Sequence, residues 1–260
     1  MNRQSLSKIL VEACRLLLGA VFVFSGAAKA VDPQGGAIKI ADYLVAFGLD
    51  SLKELSLFLA FNLSAFEFAL GATLLSGVYR RYASWLTLLM MGFMTPLTLY
   101  LALFDPVSDC GCFGDALLLT NWQTFFKNVI LLAAACYLWR HNQRMLRGFS
   151  RYAYWFVPLW SYLFICGFAY QNYTHLPILD FRPYKIGVNI QAERTIPEDA
   201  PQDEYRYSFI YEKEGVRKEF GLEDAPAGDS TWTFVESRTE LLKQGYVPPI
   251  HDFVIHDQMG

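Results

Sequence analysis

Apolar positions run in long unbroken stretches through the first two thirds of the chain and alternate with polar ones in the last third. Crossing a bilayer core of ~30 Å takes about 20 helical residues at ~1.5 Å each. Five stretches reach that scale: Ile9–Val31, Leu55–Tyr79, Tyr82–Phe104, Trp122–Trp139 and Tyr152–Tyr170, the fourth being the shortest. Each predicts a transmembrane helix. The first follows Arg3 and Lys8 and contains Ala28-Lys29-Ala30, which mimics the cleavage site of a leader peptide. Glu12 and Arg15 interrupt its apolar run, and a retained span is the better reading. After Pro177 the period changes to two. Tyr205–Tyr211, Val216–Phe220 and Ser230–Glu236 alternate as strands, Glu214-Gly215 offers a hairpin turn, and Asp252–Ile255 suggests a fourth strand. Arg238–Gln244 reads as a short helix ended by Gly245, and Pro248-Pro249 as a stiff turn. The predicted fold is an all-α membrane bundle, a four-helix core plus a fifth span, followed by a small β-rich extracytoplasmic domain. Residues 1–141 form the core, 142–172 a basic linker and the fifth helix, and 173–260 the β domain.

Charge supports the division and orients it. Up to Asn172 there are 13 Lys/Arg against 9 Asp/Glu, and from Tyr173 onward 9 against 16, so a net of +4 is joined to a net of −7. No basic patch suits a nucleic acid, and that class is excluded. Lys and Arg concentrate in cytoplasmic loops. With five spans, three segments share one side: Arg3 and Lys8, then Arg80 and Arg81, then Arg140, Arg144, Arg147 and Arg151. The opposite side receives the mixed segment Asp32–Lys53, read as a loop, and Asp105–Gln123, which holds Asp105, Asp109 and Asp115 and no base. The expected orientation therefore puts the amino terminus in the cytoplasm and both the cysteine loop and the acidic tail outside.

The outward acidic loop carries Cys110-Gly111-Cys112-Phe113-Gly114. A disulfide needs Cα atoms ~4.4–6.8 Å apart, which residues two apart reach in a bent backbone, and Gly111 permits the bend. Such a bridge closes almost no chain and is a poor staple. Strained or exposed disulfides are the more oxidising ones, and an oxidising exterior lets disulfides persist. An exchangeable pair is one reading, with the more exposed, lower-pKa thiol attacking. A metal site and a silent structural pair are the others. Metal binding lacks ligands, because His141 lies on the wrong side and His175, His251 and His256 lie in the tail; no metal is expected. Cys14, Cys136 and Cys166 read as small buried hydrophobes. Phe113 would anchor the motif in the membrane interface.

Glu67 lies twelve residues into the second span, ~18 Å deep at helical rise. An ionisable group there costs a few kcal/mol and asks for a reason. A functional role, in a proton relay or at a bound quinone head group, and a neutral carboxyl bonded between helices stand as equal explanations. Glu12 and Arg15 share a helix face near the inner edge and suggest an ion pair. Pro96 would kink the third span, with Thr95 and Thr98 able to satisfy freed backbone groups. Gly19, Gly26, Ala27, Ala28, Gly71 and Ala72 favour close helix contact.

Several of these residues carry a resemblance. Glu12, Arg15, Gly19, Phe22, Ser25, Gly26 and Lys29 in the first span, Glu67 and Gly71 in the second, and the loop Cys110–Gly114 resemble the DoxX/MauE group of redox-associated membrane proteins. Arg182–Gly187 and Pro248–Phe253 resemble a subgroup typical of Bacteroidota. Relatives there commonly continue into a thioredoxin-like segment, so the resemblance implies a truncated chain at Gly260. It also implies a four-helix core passing electrons between a dithiol and a quinone or protein thiol. The expectation is an inner-membrane thiol–disulfide redox protein with Cys110 and Cys112 as the pair, Glu67 as a protonatable group and a quinone as cofactor by analogy. The rival is a non-enzymatic assembly subunit docking a periplasmic or membrane protein partner through its acidic tail. A transporter is disfavoured, since the spans show no inverted repeat.

Overall fold

The computed structural model describes residues 3–104, 110–146, 148–149, 154–182, 185–197, 199–213, 215–221, 224–226, 231–243, 245–248 and 250. The chain forms two compact units, residues 1–181 and 182–260. The first is helical: α1 (Arg3–Val31), α2 (Pro33–Ala46), α3 (Ser56–Ser76), α4 (Arg80–Phe104), α5 (Asn121–Arg140) and α6 (Phe156–Thr174). Three helical stretches are long and apolar enough to cross a membrane, namely Ser5–Val31, Asp50–Ser76 (a 3-10 turn leading into α3) and Arg80–Phe104. Helices α5 and α6 are shorter, 20 and 19 residues. Asn121, Gln123, Lys127 and Asn128 make the first half of α5 polar.

Helix α2 replaces the loop expected between Asp32 and Lys53. Its signals were present in the sequence: the Asp32 carboxylate accepts from the Gly35 amide at 3.0 Å and Pro33 occupies the first turn. Ala37 and Ala41, four apart, bury one face.

Helices α1 and α3 pack with little between them. A Cβ on Gly26 would lie 2.5 Å from the Phe68 amide nitrogen, and one on Gly71 would lie 2.6 Å from that of Val23. Lipid supplies no hydrophobic drive to join helices, so close backbone approach at small residues does that work. The main apolar cluster takes Leu18 and Phe22 from α1, Leu74 from α3, Met91 from α4 and Leu131 and Leu138 from α5. A second joins Ala30 and Ala65 to Ile165 and Ala169 of α6. Outward faces stay apolar: Phe93 is 65% exposed, Ile130 64% and Trp160 60%. Such faces suit lipid.

Pro96 lies within α4. Thr95 donates to the Met91 carbonyl at 2.7 Å and Thr98 to that of Met94 at 3.0 Å. Neither serves Gly92, the i−4 carbonyl that a proline frees. Thr98 also accepts from Asn128 of α5 at 3.2 Å, which ties the two helices.

The basic segments meet at one end of this unit. Arg144 donates to Ser7, Arg80 to the Met145 carbonyl at 2.6 Å, and Glu12 accepts from the Leu146 amide at 2.7 Å. Arg15 pairs with Glu12 at 2.6 Å and caps α3 through the Leu74 carbonyl at 2.9 Å.

The second unit holds α7 (Ile190–Arg194) and an antiparallel sheet of β1 (Glu204–Lys213), β2 (Val216–Gly221) and β3 (Thr233–Lys243), ordered β2-β1-β3. Gly215 makes the hairpin turn at φ 77°. The helix expected at Arg238–Gln244 is not formed. Arg238–Lys243 extends β3, from Ser208 opposite Arg238 to Glu204 opposite Lys243. Ladder pairing along all of β1 overrides local helix propensity. Tyr211 packs edge-on against Phe220 and Phe234 at 5.8 and 5.7 Å, giving the sheet an aromatic face. The strand expected at Asp252–Ile255 lies outside the described residues, as do Asp105, Asp109, Arg147 and Arg151.

Candidate functional site

The site forms where α1, α2, α3 and α5 meet the chain ahead of α5. Ser25 and Lys29 are four apart on α1 and share a face. Glu67 faces them from α3, 3% exposed. Lys29 Nζ donates to Glu67 Oε2 at 2.6 Å, to Ser25 Oγ at 2.8 Å and to the Cys112 carbonyl at 2.7 Å. Ser25 Oγ lies 2.7 Å from Glu67 Oε2 and 2.6 Å from the Cys112 carbonyl. From α2, the Tyr43 hydroxyl donates to the Cys110 carbonyl at 3.0 Å. Both cysteine carbonyls are therefore held by side chains.

Glycines let the loop turn this tightly. Gly111 and Gly114 have φ of 62° and 53°, where an L-residue costs roughly 1–2 kcal/mol. The turn brings Cys110 Sγ and Cys112 Sγ to 2.7 Å, and both cysteines are free. Phe113 does not sit at an outer interface. It turns inward, 7% exposed, with Phe24 edge-on at 5.4 Å and Lys127 Nζ over its ring at 4.1 Å. Burial of a large aromatic and a cation over its face hold the loop in the mouth of the bundle.

The environment separates the two thiols. Cys112 is lowered to about 7, first by the hydrogen bond from Cys110 and then by the charges of Lys127 and Lys29, against burial and the nearby Glu67. Cys110 is pushed up, first by that same bond to Cys112 and then by burial. The same contact, in which either sulfur can donate, thus favours the thiolate at Cys112 over that at Cys110.

Two cavities border the pair. One of about 940 Å³ is lined largely by apolar residues, including Leu63 and Phe66 of α3 and Phe93 and Leu97 of α4, and also by Lys29, Asp32, Lys39, Tyr43, Asp115 and the two cysteines. The other, of about 40 Å³, lies where Ser25, Lys29, Glu67 and Cys112 meet Lys127 and Asn128. Among the described residues no group of three or more His, Cys, Asp or Glu side chains could hold a metal ion.

Cys110, Cys112 and Glu67 all come together here, Glu67 reaching the loop through Lys29 and Ser25. Cys14, Cys136 and Cys166 sit on α1, α5 and α6, outside it. Sequence reasoning gave Lys29 no role beyond the resemblance, and missed Tyr43 and Lys127. The signal for Lys29 was its spacing from Ser25, which puts a hydroxyl and an ammonium on the face opposite a buried acid.

Long apolar helices and a polar centre enclosed by them define a multi-pass membrane protein with a closely spaced dithiol beside a buried ion pair. The chain belongs to the MauE family, described as methylamine utilisation protein MauE, whose sequence profile matches residues 7–140. A domain of unknown function (DUF8463) matches residues 205–244, the span of the sheet. No curated protein and no solved structure matches the chain.

Proposed function

We propose that this is an inner-membrane thiol–disulfide redox protein in which Cys110 and Cys112 open and close a bridge. The observation that carries the reading is a pair of free sulfurs 2.7 Å apart in a loop whose two carbonyls are fixed by Lys29, Ser25 and Tyr43. Closing the bridge breaks two S–H bonds, forms one S–S bond and releases two electrons and two protons. Cys112, already poised to lose its proton near pH 7, is the attacking sulfur, and Glu67 is a base for a released proton. MauE membership supports a membrane role in methylamine utilisation or a related redox process.

The apolar cavity suits a lipophilic electron acceptor, since a wide, largely apolar space borders the sulfurs. Phe66, Phe93 and Leu97 would hold the apolar body of a quinone, with its carbonyl end toward the two sulfurs. Bound there, a quinone would supply a sink for two electrons and two protons. In this reading α1, α3, α4 and α5 form a four-helix membrane core and α6 a fifth span. The amino terminus is cytoplasmic, with Arg80, Arg140 and Arg144 at the same end, and the dithiol and the β domain face the periplasm.

The test is redox titration of the full chain in lipid nanodiscs against glutathione buffers, read as the mass of the peptide spanning both cysteines. Reversible loss of two hydrogens, at a potential above the roughly −300 mV of structural disulfides, is expected. Thiols that stay free across the whole series would overturn the proposal.

A further inference from the structure

Lys29 uses all three of its N–H bonds, on Glu67, Ser25 and the Cys112 carbonyl. It therefore links a titratable acid on α3 directly to the backbone of the cysteine loop. Ser25 adds a switchable contact. Its single hydrogen has two acceptors within reach, Glu67 Oε2 at 2.7 Å and the Cys112 carbonyl at 2.6 Å, and can serve one at a time. While Glu67 is a carboxylate, it competes for that hydrogen and balances the ammonium charge. Once Glu67 carries a proton it can donate to Ser25 Oγ, and the serine hydrogen turns to the Cys112 carbonyl. The same proton leaves the Lys29 charge uncompensated beside the Cys112 sulfur. Both changes act on one residue.

We infer that Ser25 and Lys29 are positioning residues that couple the protonation of Glu67 to the hold on the Cys112 carbonyl and to the reactivity of its sulfur. This rests on the thiol–disulfide reading and deepens it. A proton released as the bridge closes is taken up by Glu67 and tightens the loop around the oxidised pair; its departure loosens the loop. The electrons go to the two-electron acceptor, a quinone or a partner disulfide, and do not pass through these side chains. Other ionisable groups bordering these cavities are Lys127 on α5, Lys39 and Tyr43 on α2, Asp32 at the start of α2, Asp115 after the cysteine loop and Tyr162 on α6; α4 presents Met90, Met91 and Met94 to this space and no charge. Tyr162 and Cys166 of α6 do not border the small cavity.

The test is the pH profile of Cys112 alkylation by iodoacetamide in the full chain, fully reduced, in nanodiscs. Lys29→Met should move the half-labelling pH up by about one unit, and labelling at pH 7 should fall about fivefold. Lys29→Arg should keep the profile within a few tenths of a unit. Glu67→Gln should move it the opposite way, and Ser25→Ala should shrink that Glu67→Gln shift. Because Lys29→Met alone strands a buried carboxylate, the neutral double variant Lys29→Met with Glu67→Gln provides a folded comparison, and its half-labelling pH should lie above that of Glu67→Gln alone. An unchanged profile in a folded Lys29→Met variant, a double variant that labels like Glu67→Gln alone, or shifts of the same sign for Lys29→Met and Glu67→Gln, would overturn the coupling. So would an undiminished Glu67→Gln shift in the Ser25→Ala background. Alkylation reads the reduced thiol whether or not a bridge ever forms, so failure of the redox reading appears separately, in the glutathione titration.

Discussion

At the scale of single residues, the two thiols differ because of what surrounds each of them. The hydrogen bond from Cys110 is the largest influence lowering Cys112. Thiolate is present above about pH 7 and is lost as the pH falls through that value. Cys110→Ala should therefore raise the half-labelling pH of Cys112, and cysteine-specific alkylation across a pH series measures it. The buried ion pair behaves as a unit. Removing Lys29 alone should destabilise the protein by about 3–5 kcal/mol, the usual penalty for stranding a buried charge. Removing both charges should cost less, and thermal unfolding in detergent tests the comparison. The sequence exposed Glu67 and the cysteines because each is unusual where it stands: an acid deep in an apolar run, and two thiols one residue apart. Lys29 was concealed because a lysine near a helix end normally extends to the membrane surface. Here the helix continues past a single capped residue, Asp32, into α2, and that surface position becomes interior.

Among elements, the α1–α3 contact places Ser25 and Lys29 opposite Glu67. Gly26 and Gly71 have no room for a side chain. Gly26→Leu should separate the helices, destabilise the protein by roughly 1–3 kcal/mol or more and raise the Cys112 labelling pH by drawing Lys29 away. The same variant series in unfolding and alkylation assays reads both effects. Long apolar runs and small residues made these two helices legible in advance. The sequence revealed less of α2, because fourteen residues of mixed polarity look like a loop until the Asp-Pro start is given weight. The Arg238–Lys243 segment misled for the opposite reason. Its residues suit a helix, and only the strand beside it, distant in sequence, decides otherwise.

For the whole molecule, a helical unit carries every residue of the site and a separate sheet unit follows it. A chain ending at Phe181 should consequently retain the Cys112 labelling profile; a shifted profile would mean that the sheet unit shapes the site. Charge set the expected orientation, and the structure gathers Arg80 and Arg144 at one end while the cysteine loop lies at the opposite ends of α1 and α4. The most direct test of the redox claim is differential alkylation of intact cells, with free thiols trapped by a membrane-impermeant reagent before reduction and a second label. A Cys110–Cys112 bridge that forms during respiration and is replaced by impermeant-labelled thiols when quinone is depleted is the predicted result. Thiols that stay reduced in both conditions, or that only a permeant reagent reaches, would contradict it.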